Sequence, residues 1–483
     1  MKPGLVELED NYILFAVLLF IWLVFIWENY ITLRQRQIYM NAIQVPAEVN
    51  TIMDQETYGK ARIYQLDKTN FGLIKGVVSE VESAVILLLG GLPYLWGVSG
   101  RLLDYYGYNS ADYEITQSLI FSFLGAVFGL VTGMPWTIYS TFVIEEKHGF
   151  NKQTLGFFIK DQIKKFFLFQ AISMAITAAL IYIIKAGGDY FFIYCWVFVI
   201  VVSLVMVTVY PDYIAPLFDT FTPLADGPLK SEIEKLAASI NFPLTKLYVV
   251  DGSTRSNHSN AYFYGFFKNK RIVLFDTLME DYILPQKQTD EAKTETSADD
   301  SEDKPEAETE VLDAAAAKDA STEVKTEAKK GCTNEEVVAV LAHELGHWYL
   351  NHVLKNFFIG QANVLVCFAA FAYLIKTTAL YTAFGFYDEK PVLVGLLIIF
   401  TYIFAPYNEV ESFLMTMMSR RFEFQADEFG KKLGFAKLLQ SALTKLQKDN
   451  LSFPVVDWLY STWNYSHPPL LERLAALSSK KES

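Results

Sequence analysis

The sequence predicts a mainly α-helical, multi-pass membrane protein that also carries a polar part built from helices and a small β-sheet. Two observations lead to this fold class. Hydrophobic residues make up 52% of the 483 residues and aromatic residues 15%, which is high for a soluble protein. Long apolar stretches alternate with polar segments, and one polar segment combines helix-like and strand-like patterns.

About seven stretches are long and apolar enough to cross the bilayer hydrocarbon, which is about 30 Å thick and takes about 20 helical residues. The first follows Glu7, Glu9 and Asp10 and lacks a basic n-region, so we expect a retained helix rather than a signal peptide. The predicted spans are residues 12–31, 79–99, 116–138, 166–185, 190–210, 356–376 and 390–411.

The distribution of Lys and Arg predicts the orientation of these spans. Segments 32–76 and 145–165 are rich in Lys and Arg, whereas 100–115 contains only Arg101 and 186–189 contains no basic residue. Basic loops remain on the cytosolic side. We therefore expect a lumenal N-terminus, a membrane domain over 1–210 that holds the first five spans, and cytosolic polar segments after it.

The polar segment 211–285 is predicted to be a cytosolic α+β unit. Residues 228–240 have a helical pattern, and residues 246–250 and 271–275 are strand-like. Residues 260–265 form a further, aromatic strand candidate between them.

Residues 286–331 are rich in Glu, Asp, Lys, Ala, Ser and Thr and have almost no aromatic residues. Such a segment cannot bury enough apolar area to fold, so we predict an acidic disordered insertion, with an acidic binding arm as the alternative. The net charge of −13 argues against nucleic-acid binding, which requires a basic surface.

Segment 332–355 is predicted to be a helix that carries a His-Glu-x-x-His motif. Thr333 and Glu336 form a capping box at its start. His343 and His347 lie one turn apart on the same face, so both can reach one Zn²⁺ at about 2.0–2.1 Å. Glu344 is placed to take a proton from the attacking water. A chance match on a polar helix face is the alternative.

The C-terminal part, residues 412–483, follows the predicted sixth and seventh spans of segment 356–411 and supplies a third ligand candidate. Glu423 and Asp427 are four residues apart on one helical face. Glu423 can complete a three-ligand zinc site, and Asp427 can accept a hydrogen bond from the outer nitrogen of a liganding histidine. Solvated acids paired with Arg420 and Arg421 are the alternative. The pattern predicts a gluzincin-type zinc protease domain.

Several motifs together resemble the type 1 CAAX prenyl protease family, whose members are integral-membrane zinc metalloproteases. The resemblance covers nearly the whole chain and departs from the family pattern mainly at 286–331. The motifs that carry it are residues 145–151, 260–266, 334–348, 423–427 and 467–473.

The resemblance implies that seven helices enclose an intramembrane chamber closed by the zinc domain. It implies zinc held by His343, His347 and Glu423, with Glu344 as catalytic base.

Two further sets of site residues follow from the resemblance. His467 and Arg473 match family site residues that stabilise the oxyanion or hold the substrate carboxylate; the alternatives are a capping or core histidine and a structural ion pair. Asn260, Ala261 and Tyr262 match the edge strand that pairs with the substrate backbone, and strand addition holds a peptide extended without reading its sequence.

The implied activity is removal of the last three residues from farnesylated or geranylgeranylated CAAX proteins, with a second, N-terminal cut of some substrates left open. The implied partners are these proteins or peptides and membrane lipid. Lys480 and Lys481 resemble a dilysine retrieval signal of the endoplasmic reticulum, and the family adds the inner nuclear membrane. A broad-specificity quality-control protease and a transporter or scaffold with a dead zinc site are the alternatives.

Overall fold

A computed structural model describes residues 11–265, 270–280, 282 and 330–479. The predicted insertion falls almost entirely on residues outside this set, and so do Lys480 and Lys481. The described chain is mainly helical. Its helices are α1 (Tyr12–Asn41), α2 (Gln55–Leu88), α3 (Gly91–Tyr105), α4 (Glu114–Tyr139), α5 (Leu155–Ala186), α6 (Phe191–Val209), α7 (Pro228–Ser239), α8 (Asn334–Tyr349), α9 (His352–Leu374), α10 (Thr378–Ala383), α11 (Val392–Leu397), α12 (Ala405–Lys432), α13 (Ala436–Asp449), α14 (Trp458–Asn464) and α15 (Leu470–Ser478).

Five helical segments within the described residues are long and apolar enough to cross a membrane. A sixth is a broken span in which Val392–Ile403 and Ala405–Lys432 meet at 60°. These six overlap six of the seven predicted spans, and the chain is a multi-pass membrane protein. The five unbroken segments are Tyr12–Asn41, Glu114–Glu145, Leu155–Ala186, Gly188–Leu217 and His352–Leu374.

The remaining predicted span, residues 79–99, is not one continuous helix. It runs across the end of α2 and the start of α3, which are separated at Leu89 and Gly90. Gly90 has φ +64°, a left-handed conformation that only glycine adopts without steric cost. The apolar composition of this stretch therefore gave no sign of the break.

The small sheet is mixed and four-stranded. Its strands are β1 (Phe221–Pro223), β2 (Leu244–Val250), β3 (Ala261–Tyr264) and β4 (Lys270–Phe275), in the order β1-β2-β4-β3. β2 and β4 are parallel, and β1 and β3 are antiparallel edge strands. The three predicted strands and the predicted helix α7 are confirmed, whereas the short strand β1 was missed.

Helix α8 packs against this sheet and α7, and their apolar side chains form one core. The capping box is confirmed, because the Thr333 backbone N–H donates to Glu336 Oε2 at 2.8 Å and the Glu336 N–H donates to Thr333 Oγ1 at 3.4 Å. The prediction of a single helix over 332–355 is wrong at its C-terminal end. Helix α8 ends at Tyr349, and Asn351 adopts φ +56°, which turns the chain into α9.

Helices α8 and α12 approach closely at Gly346. A Cβ atom at this position would lie 3.2 Å from Ala426 Cα and 3.1 Å from Phe429 Cδ1. The helix backbone at Ala426 cannot yield locally as a flexible side chain can, so a larger residue must push the two helices apart. The spacing of α8 and α12 therefore depends on the missing side chain of Gly346.

We expect Gly346→Ala to destabilise the protein by about 1–3 kcal/mol, the usual cost of overpacking, although alanine favours a helix. The measurement is the thermal unfolding of the purified full-length protein. Gly360→Ala in α9 is the matched control, because a Cβ there meets nothing within 4 Å. Equal unfolding temperatures for the two variants would contradict the close approach.

Candidate metal centre

The structure brings His343 and His347 of α8 together with Glu423 of α12. One ligand atom from each lies within 4.8 Å of the others. The two imidazole Nε2 atoms are 3.3 Å apart. Glu423 Oε2 lies 3.4 Å from His343 Nε2, and Glu423 Oε1 lies 3.3 Å from His347 Nε2. Two nitrogens and a carboxylate thus converge on one point.

The chemistry of these donors fits a bound metal ion. Two imidazole nitrogens and one carboxylate are a usual protein donor set for zinc, with further positions left for water or substrate. Glu423 is buried, and its Oε2 atom has no hydrogen-bond partner among the described residues. A buried carboxylate oxygen without a partner is costly, and a cation held between these three side chains would remove that cost.

Asp427 orients the histidine that lies deepest in the site. Its Oδ1 atom is 2.8 Å from His343 Nδ1, on the side of the ring away from Glu423. The guanidinium of Arg473 in α15 donates to both oxygens of Asp427, from Nε at 2.8 Å and from Nη2 at 2.7 Å. All three side chains are buried. The contact between Asp427 and His343 is the one that the spacing of Glu423 and Asp427 predicted, whereas the pairing of Asp427 with Arg473 was not predicted.

The charge around His343 favours a cation. Burial alone would lower the pKa of His343, but the neighbouring carboxylates of Asp427 and Glu423 overcome this effect and raise the pKa to about 9. The two carboxylates therefore make positive charge favourable at this imidazole. A metal cation and a proton compete for the same electron pair on a histidine ligand.

Glu344 and the edge of the sheet face a common cavity of about 280 Å³. Its lining includes Glu344 and His347 from α8, Tyr262 and Phe263 from β3, and Phe422 from α12. β3 is paired only with β4 among the described residues, so its other edge is free for strand addition.

The other two residues of the predicted substrate strand lie at the start of β3. Ala261 pairs with Leu274 of β4, and the carbonyl of Asn260 accepts a hydrogen bond from the Phe275 N–H at 3.1 Å.

His467 lies before α15, on the open side of the centre. Its Nε2 atom is 3.4 Å from Glu423 Oε1, yet 67% of its side chain is exposed. Arg473 is buried, and its Nη1 atom is 3.6 Å from Glu423 Oε2. Both residues that the resemblance pointed to are therefore beside the centre, one facing solvent and the other facing the interior.

His352 is not among the predicted site residues, although the structure places it against the centre. Its Nδ1 atom is 3.0 Å from His347 Nδ1, and its Nε2 atom is 2.9 Å from Gln425 Oε1. Its ring also stacks on Phe422 at 4.0 Å. His352 follows His347 by five residues across the turn at Asn351, so helical spacing could not predict this contact.

A membrane chain with a His-Glu-x-x-His helix and a buried carboxylate beside it has the architecture of a membrane metalloprotease. Residues 35–220 match the family described as CAAX prenyl protease N-terminal, five membrane helices, and residues 223–481 match peptidase family M48. The chain belongs to the CAAX prenyl proteases of peptidase family M48.

Individual proteins similar to this chain support its assignment to this family. The CAAX prenyl protease 1 homologs of Mus musculus and Homo sapiens are each 59% identical to the chain, and each alignment covers 98% of this chain and 97% of the relative. The crystal structure of S. mikatae Ste24p has a TM-score of 0.80 at 33% identity and covers 96% of this chain and 99% of its own. The fold is thus shared over almost the whole length.

We expect Asp427→Ala to weaken metal binding by about 10–100-fold, the usual effect of losing a hydrogen-bond partner of a metal-binding histidine. The change frees the His343 ring and leaves Arg473 buried without its carboxylate. The measurement is competition between the purified protein and a chelator. Glu335→Gln, at an exposed position of α8, is the control. Unchanged metal affinity in Asp427→Ala would show that Asp427 does not orient a ligand.

Proposed function

We propose that this protein is a zinc endopeptidase of the endoplasmic reticulum membrane that removes the last three residues from farnesylated or geranylgeranylated CAAX proteins. The observation that carries the proposal is the position of the His343–His347–Glu423 centre. It lies beside a free strand edge, and its two helices lead directly into apolar spans. The similarity to the CAAX prenyl protease 1 homologs supports the substrate class.

In this proposal His343, His347 and Glu423 hold the zinc ion, and Asp427 fixes the orientation of His343. When bound, zinc polarises the scissile carbonyl and makes water more acidic. The side-chain distances of 3.3–3.4 Å between the three donors support this assignment. The predicted alternative of solvated acids paired with Arg420 and Arg421 does not fit the burial of Glu423 and Asp427.

Glu344 acts as the general base and then as the general acid. It takes a proton from water as the water oxygen attacks the scissile carbonyl carbon, and it gives that proton to the leaving amine as the C–N bond breaks. The free edge of β3, from Asn260 to Tyr262, holds the peptide extended next to Glu344. The common cavity that Glu344 and Tyr262 line supports this placement.

His467 and Arg473 divide their roles according to their exposure. The exposed ring of His467 can donate to the developing oxyanion or to the substrate carboxylate. Arg473 is engaged in two hydrogen bonds with Asp427, so we assign it to positioning Asp427 rather than to contacting substrate.

The lipid of the substrate explains why this site belongs to a membrane protein. A prenyl chain favours an apolar environment, and the resemblance implies a chamber between the apolar helices that would hold it. The basic segments 32–76 and 145–165 support a cytosolic zinc domain and a lumenal N-terminus. The endoplasmic reticulum, with the inner nuclear membrane as a further location by family resemblance, remains part of the proposal, and a second N-terminal cut stays open.

We expect Glu344→Ala to reduce peptide cleavage by at least a hundredfold, within the usual contribution of general acid–base catalysis of about 10²–10⁴, while the metal stays bound. Both the hydrolysis rate and the metal content of the purified protein are measured. Glu335→Gln is the control on the same helix. Cleavage by the Glu344→Ala variant at the wild-type rate would show that Glu344 is not the general base.

Prenylation of the substrate is the test of the substrate class. We expect the wild-type protein to cleave a farnesylated CAAX peptide much faster than the same peptide without the lipid. Mass spectrometry of the products should show loss of the last three residues. Equal rates on the two peptides would favour a broad-specificity quality-control protease, and no cleavage of either would favour a transporter or scaffold.

Removal of the metal should abolish the activity, because no cation then polarises the scissile carbonyl or makes water more acidic. We expect a strong chelator to remove one metal ion per chain and one equivalent of Zn²⁺ to restore cleavage. Mg²⁺, which prefers oxygen ligands in octahedral geometry, is the control and should not restore it. Activity that survives complete loss of metal would contradict the zinc assignment.

A further inference from the structure

A groove lies between the start of α9 and the C-terminal half of α12, separated from the metal centre by the stacked rings of His352 and Phe422. We call it the α9–α12 groove, and it has a volume of about 640 Å³. Nothing in the proposed proteolysis uses it. Its lining includes Lys355, Met417, Arg420, Arg421, Glu428 and Lys432.

The groove is cationic, although the chain as a whole has a net charge of −13. Two of its basic residues have acidic partners: Arg420 is 3.0 Å from Glu472, and Lys432 is 3.9 Å from Glu428. Lys355 and Arg421 form no ion pair with any residue that the structure describes, and both are exposed. Two cationic groups are therefore available to an anion in this groove.

Exposed apolar side chains continue from the groove along both helices. Val410, Leu414, Met417 and Arg421 follow one another at intervals of three or four residues, so they lie on one face of α12. Leu414 is 60% exposed. On α9, Phe358 is 62% exposed and lies one turn beyond Lys355. Each helix thus presents a cation followed by an apolar strip.

The position of Lys355 connects this pattern to the membrane. It lies in the first turn of α9, which is one of the five apolar spans. A basic pocket at the end of apolar helices is the usual site for an anionic lipid headgroup, with the acyl chains against the apolar strip. An acidic soluble protein would match the charge but would leave Leu414 and Phe358 without a partner.

We propose that the α9–α12 groove binds an anionic phospholipid. The phosphate accepts hydrogen bonds from the guanidinium of Arg421 and the ammonium of Lys355, and the acyl chains lie along Leu414 and Phe358. Lys355 Nζ is 5.7 Å from the centre of the Phe422 ring, and Phe422 stacks on His352. The lipid therefore binds next to the wall of the metal centre without entering it.

The test uses the full-length protein in detergent, titrated with fluorescent phosphatidylserine and, separately, with fluorescent phosphatidylcholine. We expect the wild type to bind phosphatidylserine more tightly than phosphatidylcholine. Each lysine or arginine near a membrane surface contributes about fivefold to binding of anionic lipid. The double change Lys355→Gln, Arg421→Gln should therefore weaken phosphatidylserine binding by roughly 25-fold and leave phosphatidylcholine binding unchanged.

The matched control is Lys152→Gln with Lys160→Gln, which removes two exposed charges elsewhere and should keep wild-type binding. Peptide hydrolysis in neutral lipid should stay unchanged in both double variants, which shows that they fold. Equal weakening of phosphatidylserine binding in the two double variants would overturn the proposal, because binding would then depend on the overall charge of the protein and not on the groove. Wild-type binding by the groove variant would overturn it as well, as would displacement of the lipid by an equally charged acidic peptide at stoichiometric concentration.

Discussion

The buried carboxylate of Asp427 is the group on which the arrangement of the metal centre depends. Asp427 belongs to α12. Its carboxylate contacts His343 of α8 on one side and accepts two hydrogen bonds from Arg473 of α15 on the other. A buried guanidinium or carboxylate without a partner is strongly destabilising, so none of the three helices can adopt its position without the other two. The centre and the C-terminal helix therefore form one cooperative unit, although they are far apart in the sequence.

The second constraint is the position of this unit next to the membrane helices. Helix α8 passes into the apolar span α9 after a turn at Asn351, and α12 is the second part of the broken span that begins at Val392. Each helix that contributes to the centre is thus continuous, or nearly so, with an apolar segment. The polar cluster of the centre is held by hydrogen bonds and ion pairs, while the helices that carry it are held by apolar packing.

The parts of this structure that were predictable are those set by local spacing. The one-turn spacing of His343 and His347, the capping box at Thr333 and the four-residue spacing of Glu423 and Asp427 all depend on helical geometry alone. Besides the end of α8 before Asn351, three features escaped prediction because they depend on distant contacts or on one backbone angle. They are the strand β1, which exists only through its pairing with β2, the break at Gly90, and the contact of His352 with His347.

The order of the chain has a consequence for biosynthesis. The proposed ligands His343 and His347 leave the ribosome well before Glu423, because α9, α10 and α11 lie between them. Arg473, which secures Asp427, is synthesised later still, in the last helix of the described residues. A nascent chain can thus insert its spans while its hydrolytic centre is still unassembled, and an enzyme truncated before α15 lacks the guanidinium that secures Asp427. Assembly of the proposed centre therefore waits until α15 has been synthesised.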